Sequence, residues 1–299
     1  IGGAIGIPLY LAQGFSVALY IIGFSESVVT MFPSLDIRLV SIIATLLLGT
    51  LALFSTKATI KVQFLILGVI LLSLISFFFG KPLAEPQTQI WNLTAENRES
   101  FWKVFAVFFP AVTGIMAGVN MSGDLKNPAK SIPKGTFLAV ATGYLIYMTV
   151  PVFLALRVDP ETLIRDQFVI HKIAFWGGAI LLGVWGATLS SAVGSLLGAP
   201  RVLQALTKDQ VIPSKLSFLG KGSGPEQIPR AATLITIIIT LVLVYSGNLN
   251  AIAPVLTMFF LTTYGILNLT AGIERLIESP SFRPKFKVHW AFSFTGTLA

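Results

Sequence analysis

The stretch Phe108-Phe-Pro-Ala-Val-Thr-Gly-Ile-Met-Ala-Gly118 places one proline and two glycines inside an otherwise apolar segment. Proline has no backbone N–H and its ring crowds the preceding turn, so an α-helix cannot pass undisturbed through Pro110. In a bilayer, unpaired backbone groups are tolerated only where they are buried in protein or line a cavity. Transporters place such broken helices at their binding sites. The stretch therefore predicts a broken membrane helix around which the rest of the chain is organised.

The composition of the chain indicates an all-α polytopic membrane protein. Its 299 residues are 54% hydrophobic and 11% charged, with a mean hydropathy of +0.81, which is too apolar for one soluble domain. We therefore expect a single transmembrane transporter domain over residues 1–299. Runs long enough to cross about 30 Å of hydrocarbon are predicted at 5–30, 38–55, 62–80, 102–121, 135–156, 173–199, 229–247 and 251–272, and another begins at 291–299.

The basic residues give the expected orientation. If the first span starts on the cytoplasmic side, most of the 21 Lys and Arg residues fall in cytoplasmic loops, as the positive-inside rule requires. The net charge of +8 is therefore attributed mainly to basic loops on the cytoplasmic side of the membrane. The expected partner is the lipid bilayer, and no nucleic acid is expected. The chain has no cysteine, which excludes disulfides, thiolate metal sites and thiol nucleophiles.

The acidic residues argue against an enzyme. All 13 lie in predicted loops or near the ends of spans, whereas a membrane hydrolase or a proton-coupled carrier usually needs an ionisable group at depth. No Ser/His/Asp set, transition-metal cluster or phosphate loop can be assembled from the sequence, and no cofactor is expected. Glu26, near the outer end of the first span, is either a gate residue that pairs with an arginine on another helix or a surface carboxylate.

The polar groups at depth are neutral oxygens. The run Ala187-Thr-Leu-Ser-Ser191 places Ala187, Ser190 and Ser191 within one helical turn, so two hydroxyls and a carbonyl can face one cavity. Hard oxygen ligands of this kind suit a desolvated sodium ion. Alternatively, the hydroxyls bond back to the preceding turn or across to a neighbouring helix.

The broken span itself offers backbone groups that suit a cation and others that suit an anion. Pro110 frees backbone carbonyls for a cation. The amides of Gly114, Ile115 and Met116 would begin a second half-helix, whose positive end favours an anion. A plain proline kink, with Gly114 and Gly118 as a packing pair, is the alternative.

Two lone tyrosines lie in apolar spans. Tyr20 in the first span and Tyr264 in the eighth each need a hydrogen-bond partner if buried. Either hydroxyl could contact an ion or bond to a neighbouring backbone carbonyl.

Two predictions concern the connections. The segment from Lys81 to Glu99 is expected to be an external loop, and it contains the glycosylation sequon Asn92-Leu-Thr. The spacing of Val202, Leu203 and Leu206 predicts a short amphipathic element near the membrane surface after the sixth span.

The sequence resembles the cation-chloride cotransporters of the amino acid–polyamine–organocation superfamily. The resemblance extends over nearly the whole chain and is carried by Tyr20-Ile-Ile-Gly-Phe-Ser-Glu26, the Phe108–Gly118 stretch, Ser122-Gly-Asp-Leu125, Ile132-Pro-Lys-Gly-Thr136, Ala187-Thr-Leu-Ser-Ser191, Ala199-Pro-Arg201, Gln204-Ala-Leu206, Lys208-Asp209 and Phe259-Phe-Leu-Thr-Thr-Tyr264. It implies a fold of two inverted five-helix repeats. The chain would then be a fragment that covers about the third to tenth transmembrane helices, and a prokaryotic homologue is expected.

The resemblance also implies three ion sites. Tyr20, Pro110 and Thr113 would contact potassium; Ala187, Ser190 and Ser191 would contact sodium; Gly114, Ile115, Met116 and Tyr264 would contact chloride. Because both serines are present, the chain is similar to the sodium-coupled branch of the family.

The expected function is symport of chloride with sodium and/or potassium by alternating access, in the plasma membrane, with a homodimer among the expected assemblies. An amino-acid or polyamine permease of the same fold is one alternative. A non-transporting membrane scaffold or receptor is the other.

Overall fold

The computed structural model describes residues 2–54, 56–83, 99–120, 122, 125–166, 168–224, 227–246, 249–277 and 288–298. The sequon at Asn92 and most of the predicted external loop lie outside these ranges. The helices are α1 (Gly2–Met31), α2 (Ile37–Phe54), α3 (Thr56–Phe78), α4 (Phe101–Phe108), α5 (Ala117–Asn120), α6 (Pro128–Arg157), α7 (Pro160–Arg165), α8 (Val169–Ile173), α9 (Gly177–Lys208), α10 (Arg230–Ser246), α11 (Leu249–Ile277) and α12 (Trp290–Leu298).

The described part of the chain is helical, with one isolated β-bridge between Ser223 and Ile228 and no strand, which confirms the predicted all-α class. Helices α1, α6, α9 and α11 are long and apolar enough to cross a membrane. Shorter apolar helices occupy the other predicted spans, including α2, α3 and α10. That all eight predicted spans cross the bilayer remains a prediction.

The packing of the long helices has a two-fold pattern. Helix α1 packs along α9, and α2 packs on α10. Helix α3 packs on α9 just as α11 packs on α1. Exchanging α1, α2 and α3 for α9, α10 and α11 therefore leaves the α1–α9 and α2–α10 contacts unchanged and turns the α3–α9 contact into the α11–α1 contact. This is the relationship expected of an inverted repeat.

The core lies where α1, α9 and α11 meet. Val17 and Ile21 of α1, Ala192 and Leu196 of α9, and Leu256 of α11 are among its most buried side chains. Small residues such as Ala192 allow the close helix contact that packing in lipid requires. The central α1–α9 pair thereby forms a closely packed wall beside the broken helix.

The amphipathic element predicted near Val202 is not a separate helix. Helix α9 continues through Pro200 to Lys208, and Leu203 and Leu206 are 5% exposed, packed with Tyr10 of α1. Their spacing reflects one buried face of a long helix rather than a helix lying on the membrane surface. Apolar spacing alone does not distinguish these two environments.

The connection between α6 and α9 is anchored to the end of α3. The guanidinium of Arg157 donates to the carbonyls of Phe77 at 2.6 Å and Phe78 at 2.8 Å. Carbonyls in the last turn of a helix have no partner within the helix. Arg157 supplies a donor to both, and the Phe77 carbonyl also accepts from the N–H of Gly80 at 3.1 Å. The Arg157 contact links α6, none of whose described side chains is buried, to the rest of the bundle.

Candidate functional site

The predicted break in the membrane helix is present. Helix α4 ends at Phe108, a 3₁₀-helix runs from Phe109 to Val112, and Thr113 is extended at φ −85° and ψ −178°. Gly114 follows with φ +97°, a conformation that glycine adopts without the steric cost of a side chain. Ile115 and Met116 form the turn that leads into α5, so Gly114, Ile115 and Met116 precede the second half-helix rather than begin it as predicted, because the positive φ at Gly114 is not helical. The chain is therefore interrupted rather than merely kinked.

Side-chain hydroxyls from other helices satisfy carbonyls at the break. Because Pro110 has no N–H, the carbonyl of Ala106, four residues earlier, loses its helical partner. It accepts instead from Oγ1 of Thr257 on α11 at 2.7 Å. The carbonyl of Ala111 accepts from the hydroxyl of Tyr147 on α6, also at 2.7 Å. The open conformation is thus held by protein groups.

The structure brings the three predicted potassium residues together. Oγ1 of Thr113 donates to the carbonyl of Pro110 at 2.7 Å. The hydroxyl of Tyr20 on α1 lies beside the Thr113 side chain. Two hydroxyl oxygens and one carbonyl oxygen are therefore concentrated at the first half of the break.

The predicted chloride residues surround the second half of the break. The hydroxyl of Tyr264 on α11 lies near the backbone of Gly114. Although it is buried, it has no hydrogen-bond partner among the described residues. Met116 and Tyr264 both pack against the central core, whereas the side chain of Ile115 is 43% exposed. A buried O–H without an acceptor is available to an anion.

Five of the eleven predicted site residues line one cavity. Its volume is about 570 Å³, and none of the described residues that line it is charged. The lining residues are Tyr20, Gln63, Phe64, Ile66, Leu67, Ile70, Thr113, Gly114, Ser190, Ser191, Gly194, Ser195 and Leu197. The other predicted site residues are not part of this lining; they are Glu26, Pro110, Ile115, Met116, Ala187 and Tyr264.

Two of the three predicted sodium residues reach the cavity. Ser190 and Ser191 of α9 line it, and Ala187 lies one turn earlier on the same helix. Oγ of Ser190 donates to Oε1 of Gln63 on α3 at 2.8 Å. Ser190 thus makes the cross-helix hydrogen bond that was the alternative to an ion contact, while its oxygen still has free lone pairs.

Gln63 was not among the predicted site residues. A carboxamide at the start of the predicted span 62–80, followed by an apolar run, was the available signal, since polar side chains in membrane helices usually bond across helices or mark a functional site. The motif-based assignment did not include α3.

Glu26 remains a candidate gate. It is half-buried near the end of α1, and among the described residues its carboxylate forms no ion pair. Across all the residues that the structure describes, no group of three or more His, Asp or Glu side chains could hold a metal ion.

Comparison with known proteins gives a family match and a set of relatives. The family model described as amino acid permease matches residues 1–291. Solute carrier family 12 member 8 of Xenopus laevis is 36% identical over an alignment of 284 residues, which covers 90% of this chain and 39% of that protein. Solute carrier family 12 member 1 of Homo sapiens is 30% identical over 360 aligned residues, which cover 99% of this chain and 33% of that protein. The chain therefore spans less than half the length of these relatives.

Proposed function

We propose that this chain, which belongs to the amino acid permease family, is a secondary active symporter. It would couple chloride to sodium and/or potassium by alternating access. The relatives in solute carrier family 12 bear out the resemblance to the cation-chloride cotransporters. The observation that carries the proposal is the uncharged cavity at the break, which is lined by neutral oxygens and by Gly114, whose backbone lies near the unpaired hydroxyl of Tyr264.

The uncharged wall gives a physical reason for coupling. Moving a single ion from water into such surroundings costs several kcal/mol even after relaxation. Opposite unit charges about 4 Å apart attract by about 4 kcal/mol at an effective dielectric constant of about 20. A cation at the Thr113 side of the break and an anion at the Gly114 side would therefore favour each other's binding. Loading would be cooperative and the loaded site close to neutral.

The break can also account for the separation of the two signs. Before it, the carbonyl of Pro110 and the hydroxyls of Thr113 and Tyr20 offer oxygen lone pairs to a cation. After it, the turn at Gly114 and the hydroxyl of Tyr264 offer donors to an anion. Movement of the half-helices against the α1–α9 pair would open this site to either side of the membrane.

An amino-acid permease is the second candidate. The family match favours it, and the same amides at Gly114 to Met116 would then bind a substrate carboxylate in place of chloride. The chain is an integral membrane protein in either case. We place it in the plasma membrane, with the bilayer and inorganic ions as partners, a homodimer as the assembly and no cofactor.

Uptake by the full-length protein in liposomes tests the proposal. Labelled rubidium, used in place of potassium, should enter in a manner that requires chloride, sodium or both. Rubidium influx that depends on neither ion would contradict the symporter. Saturable uptake of an amino acid would favour the permease, and no uptake of either solute would favour the scaffold.

A further inference from the structure

Gln63 is a polar residue of the cavity wall, and with Ser195 it is one of two such residues outside the predicted ion sites. It lies on α3, with Phe64 and Ile66 beside it on the same wall. Its carboxamide is directed at one residue of the opposite helix, Ser190 of α9.

The two groups contact each other twice. Oγ of Ser190 donates to Oε1 of Gln63 at 2.8 Å, and Nε2 of Gln63 donates to the backbone carbonyl of Ser190 at 3.4 Å. Only one orientation of the carboxamide allows both contacts, because the flipped form would place two acceptor oxygens together. The backbone carbonyl therefore determines which end of the carboxamide meets the hydroxyl.

This arrangement determines where the Ser190 hydroxyl hydrogen points. A serine hydroxyl has one hydrogen and two lone pairs, and it rotates to suit its surroundings. With its hydrogen committed to Gln63, the oxygen retains its lone pairs for the cavity. A hydroxyl without such an acceptor would point its hydrogen toward a bound cation in some of its rotamers. Groups that orient ligands in this way are required for full affinity at metal sites.

We propose that Gln63 is a positioning residue for the cation subsite formed by Ser190 and Ser191, where it holds the Ser190 hydroxyl as an acceptor toward sodium. This role rests on the proposed function. It makes Gln63 a determinant of sodium affinity, with no direct part in binding chloride.

Other contacts hold α3 against α9, so the role can be separated from simple packing. A Cβ added at Gly183 of α9 would overlap the side chain of Ser73, and one added at Gly186 would lie 3.1 Å from Ile66. The glycines thus allow the two helices to approach closely along the part of α3 that follows Gln63. Replacing Gln63 by leucine would leave this packing in place.

The test compares Gln63→Leu and Gln63→Glu in the full-length protein in liposomes, with rubidium uptake measured as a function of sodium and of chloride. Gln63→Leu should raise the half-saturating sodium concentration by about tenfold, while that of chloride changes by less than about twofold. Gln63→Glu keeps the acceptor oxygen and adds negative charge near the cation, so it should restore or improve sodium affinity above neutral pH. Gln204→Leu removes a carboxamide that contacts the carbonyl of Gly220 outside the cavity, and it should leave the sodium dependence unchanged.

A second readout does not depend on transport. Sodium should raise the thermal unfolding temperature of the purified protein and of Gln63→Glu, and it should do so much less for Gln63→Leu. A Gln63→Leu variant that retains the sodium affinity and the sodium-induced stabilisation of the unmodified protein would overturn the assignment. Uptake that needs chloride and potassium but not sodium would also overturn it while leaving the symporter intact. Uptake that needs no ion at all would contradict the proposed function itself.

Discussion

The hydroxyl of Thr257 donates to the carbonyl of Ala106 at 2.7 Å, and Ala106 lies four residues before Pro110. The proline removes the N–H that would have reached this carbonyl in a continuous helix, and α11 supplies the replacement. The same helix carries Tyr264 two turns later, beside the backbone of Gly114. Helix α11 therefore contacts both halves of the break, so displacement of α11 would alter both.

Replacing Thr257 by valine should destabilise the protein. Valine matches the shape of threonine but has no donor, so the carbonyl of Ala106 would be left without a partner at a cost of about 1–3 kcal/mol. Thr257→Ser keeps the donor and is the matched control. Thermal or chemical unfolding of the purified protein in detergent measures the difference, and equal stability of the two variants would show that the hydrogen bond contributes nothing.

The break could be predicted from sequence because it has a local cause. Pro110 lacks an N–H in any fold, and Gly114 is the residue best suited to a positive φ. The replacement donors could not be predicted, because Thr257 is 151 residues away from Ala106 and many other threonines in the chain would have fitted equally well. Long-range partners are set by helix packing, which a single sequence does not reveal.

The dependence on helix packing also explains why some site residues could be predicted and others could not. Ser190 was identified from its neighbours in sequence, whereas Gln63 on α3 becomes relevant only because α3 packs on α9. The surface element predicted at Val202 failed for a related reason. Helical spacing shows which face is apolar, but it does not show whether protein or lipid headgroups cover that face.

The close approach of Gly80 to α8 predicts a second stability effect. A Cβ at Gly80 would overlap the backbone carbonyl of Ile173, an atom that also accepts from the N–H of Lys81 at 2.8 Å. Because backbone cannot move aside as a side chain can, Gly80→Ala should cost about 1–3 kcal/mol through overpacking. Gly68→Ala in α3 meets no atom within 4 Å, so it should be neutral or stabilising by about 0.5–1 kcal/mol. Comparable unfolding temperatures for the two alanine variants would contradict this close approach.

The ion pair between Asp166 and Lys172 of α8 predicts a pH effect in the connection between α6 and α9. The ammonium of Lys172 lies 2.7 Å from the Asp166 carboxylate and holds the pKa of that carboxyl below its ordinary value. A lowered folded-state pKa stabilises the protein at neutral pH, and this contribution is lost as the pH falls through that pKa, below about pH 4. Asp166→Asn should therefore lower the unfolding temperature at pH 7 and have little effect on it well below about pH 4.

An exposed pair within α7, in the same connection between α6 and α9, provides the control for Asp166. Glu161 and Arg165 are 3.7 Å apart and both side chains are 81% exposed, so their attraction is largely screened. Glu161→Gln should leave the unfolding temperature unchanged across the same pH range. An equal loss of stability at neutral pH in both variants would show that Lys172 gives Asp166 no special role.

Replacing Tyr264 by phenylalanine should have opposite effects on stability and on chloride affinity. The hydroxyl is buried and has no acceptor among the described residues, so in chloride-free buffer its removal should leave the unfolding temperature unchanged or raise it. With chloride bound, the O–H would donate to a charged acceptor. Losing that contact costs about 1.5–3 kcal/mol, which raises the half-saturating chloride concentration about tenfold or more.

Tyr245 offers a matched control because its ring is 62% exposed and lies against Arg38 rather than the break. Tyr245→Phe should change neither the unfolding temperature in chloride-free buffer nor the half-saturating chloride concentration, since its hydroxyl is not buried beside the site. Chloride titrations of uptake by the two variants in liposomes, together with unfolding in gluconate buffer, separate the possibilities. An unaltered chloride titration for Tyr264→Phe would remove Tyr264 from the anion site. A loss of stability in gluconate would show that the hydroxyl already has a partner in the protein, and it would then not be free to receive an anion.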